Sequence, residues 1–208
     1  MKLLVNFVFF FWFSALASLA HADRIKDLAS LAENLIFKPL NMKTTTFYPK
    51  NLNNVAPSEK CSWREKEICG EVHDESAFAL RPDFVAGSAG LFSNTQDWSL
   101  FLKSYLRNED GQQNKIFSPK LFEKTKNNQI EGLQHKASLG WEQNNKAFMG
   151  NCAVDCIGKT GFTGCHLQIN WKKEEGLVFL SNSTWPHRNP GHLSNIRREI
   201  ANTLWEEC

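Results

Sequence analysis

The tripeptide Lys159-Thr160-Gly161 combines a cation, a hydroxyl and a residue without a side chain, just ahead of a segment with β-strand alternation. Lys159 can hold an anionic group or polarise a proton network, and Thr160 can donate a hydrogen bond to a carboxylate. Gly161 leaves room for a bound molecule to approach the backbone. Such a tripeptide occurs by chance in roughly one chain in twenty of this length, so its meaning depends on the sequence around it.

The segments after this tripeptide predict a β-hairpin and a closing helix. Leu167, Ile169 and Trp171 alternate, residues 172–176 form a charged turn, and residues 177–180 are an apolar run, a pattern typical of two paired strands. The last segment has helical spacing, with one apolar stripe formed by Leu193, Ile196, Ile200, Leu204 and Trp205. We therefore expect the last helix to pack on an antiparallel sheet.

Helical patterns precede this part of the chain. Apolar residues recur at helical spacing over residues 25–36, and Pro39 ends that helix. Ser93-Asn94-Thr95-Gln96 has the form of a capping box before a second helix, and Ser118-Pro119 begins a third. The polar stretch 47–71 predicts an irregular surface segment. Helices followed by a hairpin and a closing helix predict the α+β class.

The charge distribution excludes one class of partner. The chain has 208 residues and a formal net charge of +2, and its Lys and Arg residues are scattered along the sequence. Nucleic-acid-binding proteins concentrate such residues in a basic patch or stripe. No nucleic-acid partner is therefore expected.

The six cysteines are an even number, which is typical of disulfides in an oxidising compartment. Spacing does not fix their connectivity, but local pairing suggests Cys61–Cys69, Cys152–Cys156 and, with the remaining two, Cys165–Cys208. A zinc site made of Cys152, Cys156, Cys165 and His166 matches no known ligand spacing, so we expect no metal. Nothing in the sequence indicates a cofactor.

The N-terminus predicts an export signal. Lys2 provides a short positive region, Leu3–Leu19 is almost uninterrupted apolar sequence, and Ala20-His21-Ala22 has the small-x-small form of a cleavage site. We expect residues 1–22 to be a signal peptide and the mature chain to be periplasmic or extracellular. The alternative is an uncleaved segment that anchors the chain in a membrane, which would be its only membrane contact.

Four stretches of the chain occur in the same order in one known family. They are IFKPLNMKTTTF (36–47), GEVHDE (70–75), VAGSAGLFS (85–93) and GKTGFTG (158–164). Together they resemble the β-lactamase-related serine hydrolases, a penicillin-recognising group that includes D-alanyl-D-alanine carboxypeptidases, class C β-lactamases and related esterases. The resemblance extends from Glu33 onward, and among the family the chain is most similar to the carboxypeptidase-type members.

The resemblance implies a partial β-lactamase/transpeptidase-like fold and a set of substrate-binding residues. In this family the Lys-Thr-Gly strand lines the site, which implies that role for Lys159, Thr160 and Gly161, while the backbone N–H of Phe162 would supply half of an oxyanion hole. The loop that contains Gly87 and Ser88 would approach the same cleft, although relatives often carry His where this chain has Ser88. The implied ligands are a peptidoglycan peptide or a β-lactam.

One half of the family's site is missing from the sequence. The nucleophile of these enzymes lies in a Ser-x-x-Lys motif, followed later by Tyr-x-Asn or Tyr-x-Ser. No serine here has lysine three residues later, and neither Tyr48 nor Tyr105 begins the second motif. We expect residues 23–208 to be a truncated domain that lacks the nucleophile segment. Without the two motifs, this domain is expected to be inactive. The alternative is a non-catalytic exported remnant or a protein that binds cell-wall peptide.

Two other groups have a functional and a structural interpretation. Ser88 could be the nucleophile of a Gly-x-Ser-x-Gly-like turn with His166, His187 or His192 as base, but such a turn needs a strand before it. A glycine-rich structural loop is therefore favoured. His73-Asp74-Glu75 could be an acid–base cluster, but adjacent residues point in different directions, so hydrogen bonds that tie down the loop are favoured.

Overall fold

The first described elements form the N-terminal edge of the fold. The structure is a computed structural model that describes residues 28–106, 116–188 and 193–205, together with the backbone of residues 5–7. Strand β1 (Val5–Phe7) pairs antiparallel with residues 91–93. Helix α1 (Leu28–Ala32) continues as a π-helical segment (Glu33–Phe37), which confirms the predicted helix before Pro39. Apart from β1, the predicted signal peptide lies outside the described residues and stays a prediction.

The segment 47–71 is more regular than predicted. Strands β2 (Glu59–Cys61) and β3 (Lys66–Ile68) form an antiparallel hairpin, preceded by a 3₁₀ turn (Leu52–Asn54). The prediction of an irregular segment is wrong because each strand has only three residues and buries only the last one, which leaves no apolar alternation to recognise. The short helix α2 (Glu75–Ala79) follows.

The two predicted central helices are confirmed, with one change at a cap. Strand β4 (Leu91–Ser93) leads into α3 (Thr95–Leu106), and α4 (Pro119–Lys126) begins after Ser118, whose Oγ accepts a hydrogen bond from the Leu121 N–H. The cap of α3 is Asn94 rather than Ser93, because the Asn94 Oδ1 accepts from the Asp97 N–H at 2.9 Å.

The second half of the chain forms an antiparallel sheet of five strands in sequential order. These strands are β5 (Lys136–Ser138), β6 (Trp141–Gln143), β7 (Cys156–Thr160), β8 (His166–Asn170) and β9 (Glu175–Phe179). Helix α5 (Lys146–Met149) and a 3₁₀ segment (Asn151–Asp155) connect β6 to β7. The predicted β8–β9 hairpin is confirmed, but Lys159 and Thr160 end a strand of their own. Only the family resemblance implied a strand here, because the first three residues of Cys156–Thr160 are all buried and give no polar alternation.

The sheet lies between two apolar clusters, which confirms the α+β class. On one face, residues from α1, α3 and α4 pack against Ile157, Leu167 and Ile169. On the other face, α5 and the C-terminal helix α6 (Leu193–Leu204) pack against Cys156 and Leu177. Both layers position strand β7, which carries the predicted site residues.

The predicted apolar stripe of α6 is partly wrong. Arg197, Ala201 and Trp205 are buried, whereas Ile196 and Leu204 are 41% and 55% exposed. The helix is rotated relative to the predicted stripe because the buried guanidinium group of Arg197 has hydrogen-bond acceptors beneath it. No described helix is both long and apolar enough to cross a membrane.

The predicted disulfide pairs are wrong. The thiols of Cys61, Cys69, Cys156 and Cys165 are free. The β2–β3 register places Cys61 opposite Lys66, while the Cys69 thiol donates to the Val55 carbonyl at 3.6 Å. Burial raises the pKa of the Cys156 thiol to about 11. Cys208 lies outside the described residues.

Candidate functional site

Strand β7 has a backbone edge that no described strand covers. The β6–β7 ladder ends at the pair Glu142–Gly158, whereas the β7–β8 ladder continues to Thr160 opposite His166. Within the described residues, the backbone from Lys159 to Thr160 is therefore paired on its β8 side only. An extended peptide can add to such an edge through main-chain hydrogen bonds.

Lys159 is half of an ion pair at this edge. Its Nζ lies 2.9 Å from Glu142 Oε1, and the other carboxylate oxygen of Glu142 accepts a hydrogen bond from Asn145 Nδ2 at 2.8 Å. The Lys159 side chain is 14% exposed and that of Glu142 is 33% exposed. The cation thus lies beside the unpaired edge, where an anionic group on a ligand can reach it. Thr160 is half-buried at the last position of the strand.

Gly161 begins a tight turn that ends at Cys165. The Gly161 N–H donates to the Cys165 carbonyl at 2.7 Å, and the Gly164 N–H donates to the Gly161 carbonyl at 3.1 Å. Gly164 has a φ of 109°, a conformation that L side chains rarely adopt. The buried Arg197 also donates to the Gly161 and Cys165 carbonyls, at 2.9 and 3.1 Å.

Phe162 occupies the tip of this turn with its backbone N–H unused. That N–H donates no hydrogen bond to any residue in the described part of the chain. The side chain is 52% exposed, and its ring stacks on His73 at a centroid distance of 5.6 Å and an interplanar angle of 24°. The guanidinium carbon of Arg188 lies 5.6 Å from the centroid of the same Phe162 ring. The geometry leaves a free, fixed N–H next to the strand edge.

The residues around Phe162 form a charged network that joins three segments. His73 Nε2 lies 2.5 Å from Glu59 Oε2, and Arg188 bonds both oxygens of Glu59 at 3.0 Å and also contacts Glu75. The hydrogen bond from Arg188 lowers the pKa of Glu75, and the same bond raises the pKa of Arg188. This network supports the structural interpretation of the His73-Asp74-Glu75 string.

The middle member of that string, Asp74, has a separate structural role. The Asp74 carboxylate caps α2, since its Oδ1 accepts from the Ala77 N–H at 2.8 Å. The three side chains therefore bond to three different partners and do not converge on one ligand.

The loop with Gly87 and Ser88 is linked to the site through other residues rather than by direct contact. Both residues are half-buried, and the neighbouring Ala89 packs with Val72 and Ala77. Val72 directly precedes His73, which carries the contact to Phe162. Ser88 forms no hydrogen bond to Lys159, Thr160, Gly161 or Phe162 within the described residues.

Ser88 also lacks the geometry of a nucleophile. The nearest strand, β4, follows it rather than preceding it. His166 is fully buried in β8, and neither of its ring nitrogens has a hydrogen-bond partner among the described residues. His192 lies outside the described residues. The glycine-rich structural loop remains the better interpretation.

Sequence reasoning missed Glu142, Arg188 and Arg197. Arg197 had a recognisable signal, because it lies four residues from both Leu193 and Ala201 and so interrupts the buried face of a helix. Glu142 and Arg188 have no comparable local signal, since strand register and loop packing bring them to the site. Among the described residues, no group of three or more His, Cys, Asp or Glu side chains is arranged to hold a metal ion.

Known proteins match this chain over most of its length. It is 28% identical over 193 residues to an N-acetylmuramyl-L-alanine amidase of Bacillus subtilis, covering 79% of this chain and 42% of that protein. It is 27% identical over 206 residues to the "Putative D-alanyl-D-alanine carboxypeptidase" of Escherichia coli K12, covering 86% and 46%. The chain thus spans less than half the length of these relatives.

The fold and the family agree with these matches. A crystal structure of a β-lactamase from Mycobacterium bovis superposes with a TM-score of 0.59 at 15% identity, over 86% of this chain and 56% of that one. The profile of the family described as Beta-lactamase matches residues 13–201. A match over that range includes the Lys159-Thr160-Gly161 strand, the glycine-rich loop and the turn held by Arg197, and the chain belongs to the β-lactamase family.

Proposed function

We propose that this chain forms the substrate-binding wall of a serine-hydrolase site of the D-alanyl-D-alanine- or β-lactam-recognising type. The observation that carries the proposal is the unpaired edge of β7, which ends in the free N–H of Phe162 and has the Lys159 cation beside it. An extended acyl peptide can pair with this edge and direct a carbonyl oxygen at the Phe162 N–H.

The polar groups at the edge suit a peptide with a terminal carboxylate. Lys159 provides a positive charge and Thr160 a hydroxyl donor, and both hold a carboxylate well when they are fixed on a strand. The Escherichia coli relative supports this substrate class, because it is named as a D-alanyl-D-alanine carboxypeptidase.

We propose further that the chain, by itself, binds such a peptide without forming an acyl-enzyme. Acyl transfer in this family needs a serine activated by a nearby base, and no serine in the sequence has lysine three residues later. Ser88 supports this view, because no described histidine bonds to it.

Fluorescent penicillin tests the absence of acylation. The purified chain should show no covalent label after denaturing electrophoresis, while a complete penicillin-binding protein treated in parallel is labelled. Labelling of the chain at one defined serine, located by mass spectrometry, would contradict the proposal.

Peptide binding tests the recognition part. We expect N-acetyl-lysyl-D-alanyl-D-alanine to shift the amide NMR signals of residues 159–162, and Lys159→Ala to weaken the affinity about tenfold, as loss of a charge-assisted hydrogen bond implies. Lys172→Ala is the matched control, because Lys172 is exposed in the β8–β9 turn. Equal affinity of both variants, or no binding by the unmodified chain, would refute substrate recognition by this edge.

We also propose that the chain is exported, with residues 1–22 as its signal peptide. The support is the positive, apolar and small-x-small order of the N-terminus. Export would bring the proposed peptide-binding edge to the compartment that contains peptidoglycan.

A further inference from the structure

Arg197 directs all of its described hydrogen bonds at one turn. Its Nη2 donates to the carbonyls of Gly161 at 2.9 Å and Cys165 at 3.1 Å, and its Nε donates to the carbonyl of Gly164 at 3.3 Å. The side chain is 7% exposed. No carboxylate forms an ion pair with it among the described residues, so its hydrogen bonds go to backbone carbonyls, while the more distant charge of Glu142 also favours the charged form.

Two of these carbonyls each accept a second hydrogen bond from the turn itself. The Gly161 carbonyl accepts from the Gly164 N–H, and the Cys165 carbonyl accepts from the Gly161 N–H. A rigid guanidinium fork that joins several carbonyls restricts the direction of the peptide planes between them. The peptide plane that carries the Phe162 N–H begins at the Gly161 carbonyl and is one of these.

The position of α6 explains why this arginine can reach the turn. Ala201 and Trp205 bury the same face of the helix against the α5 layer, which places Arg197 at the end of the sheet where β7 turns into β8. Burial lowers the pKa of Arg197, yet the group keeps its charge at neutral pH because the ordinary pKa of arginine is so high.

We propose that Arg197 is a positioning residue that fixes the Gly161–Cys165 turn and so aims the Phe162 N–H at the strand edge. The role of that N–H rests on the proposed function. The effect of Arg197 on the order of the turn can be measured without a ligand. Arg197 itself touches no substrate in this scheme.

The test is amide hydrogen exchange on the ligand-free chain, followed by NMR. We expect Arg197→Met to lower the protection of the Gly161 and Gly164 amides by about tenfold or more, since the carbonyls that they bond lose a fixed partner. The Ile169 amide in β8 should keep its protection, which separates a local effect from general unfolding. Arg198→Met is the matched control, because the neighbouring Arg198 is more exposed and, among the residues that the structure describes, bonds Asn195 rather than the turn.

A conservative variant keeps the test decisive if Arg197→Met does not fold. Arg197→Lys retains the charge but lacks the planar fork. The Gly161 and Gly164 amides should therefore be less protected from exchange than in the unmodified chain, but more protected than amides of an unfolded chain. Unchanged protection of these amides in a folded Arg197→Met or Arg197→Lys chain would overturn the proposal.

Peptide affinity separates this inference from the proposed function. If the unmodified chain binds the D-alanyl-D-alanine peptide, Arg197→Met should weaken that binding about tenfold while Arg198→Met leaves it unchanged. Unchanged affinity in folded Arg197→Met would overturn the positioning role. If the unmodified chain does not bind, the proposed function fails, and the exchange result still decides whether Arg197 fixes the turn.

Discussion

His166 is a titratable ring enclosed in the middle of the sheet. It lies on β8 opposite Thr160 and Phe179, with no exposed surface, and the ring of Phe148 meets it edge to face at 5.1 Å. Burial, and secondarily the charge of Arg197, lower the pKa of His166 to about 3. The folded chain therefore holds this imidazole neutral at every pH near neutrality.

A neutral buried histidine makes the fold sensitive to acid. The unfolded chain binds a proton on His166 below pH 6.5 while the folded chain does not, so the stability contributed by the neutral ring is complete above 6.5 and falls as the pH drops toward 3. At pH 5 the loss from this one group is about 2 kcal/mol. Urea unfolding of the chain at pH 7 and pH 5 should show it.

The variant His166→Leu isolates this contribution. Its free energy of unfolding should change less between pH 7 and pH 5 than that of the unmodified chain, by about 2 kcal/mol. Parallel pH profiles for the two proteins would show that another group causes the acid sensitivity.

At the scale of elements, the length of a segment decided how much the sequence could predict. Helix α3 has both a cap and a full apolar stripe, and α4 has a Ser-Pro start, so the position of each followed from local sequence signals. Strands of three residues, such as β2 and β5, carry at most two alternating positions and give no periodic signal. The tripeptide Lys159-Thr160-Gly161 was recognised from its residue types, whereas the bounds of the strand Cys156–Thr160 and its place in the sheet were not.

The orientation of α6 shows a second limit of sequence patterns. Ile196 and Leu204 continue an apolar stripe in the sequence but lie exposed, because hydrogen bonds to the turn at Gly161 bring Arg197 inward. A hydrophobic pattern contains no information about acceptors supplied by a distant turn. The partners of Phe162 were hidden for the same reason, since His73 and Arg188 reach it from separate segments.

Trp205 tests the observed orientation of α6. It is 3% exposed, and its Nε1 donates to Glu175 Oε2 at 2.6 Å, which ties the end of the helix to β9. Trp205→Ala should lower the free energy of unfolding by about 3–5 kcal/mol, whereas Leu204→Ala, at an exposed neighbour, should change it by less than about 0.5 kcal/mol. Urea denaturation measures both, and a larger loss for Leu204→Ala would contradict the orientation.

At the scale of the whole molecule, one sheet separates two apolar layers, and the candidate site lies where its central strand ends. Residues of the first layer come from α1, α3 and α4, and those of the second from α5 and α6. The same layered arrangement matches the β-lactamase structure over 56% of its length. The resemblance of sequence motifs identified this architecture, whereas composition and periodicity reached only its α+β class.

If the chain is exported and cleaved, the mature protein should lack strand β1. Val5–Phe7 pairs with Leu91–Ser93 in the described structure, but cleavage after Ala22 would remove β1 and leave Thr46, which bridges Phe92, as the remaining neighbour of β4. Expressed in a Gram-negative bacterium, the chain should appear in the periplasmic fraction with Asp23 as its first residue. N-terminal sequencing and intact mass measure this.

A substitution at the predicted cleavage site provides the control for the export experiment. Ala22→Arg should block processing and leave the chain uncleaved in the membrane fraction. Recovery of the unmodified chain in the cytosol with Met1 retained would contradict export, and recovery of the uncleaved chain in the membrane would identify the anchored alternative instead.

The Lys159–Glu142 ion pair gives the strand edge an internal competitor. Under the proposed function, an incoming carboxylate would have to exchange with the Glu142 carboxylate, which lies 2.9 Å from the lysine ammonium. The affinity of such a ligand would then reflect the difference between two carboxylates, one tethered to β6 and one free in solution. An uncharged ligand could not make that exchange, so under the same proposal the ion pair would select for negatively charged ligands as well as hold the lysine in place.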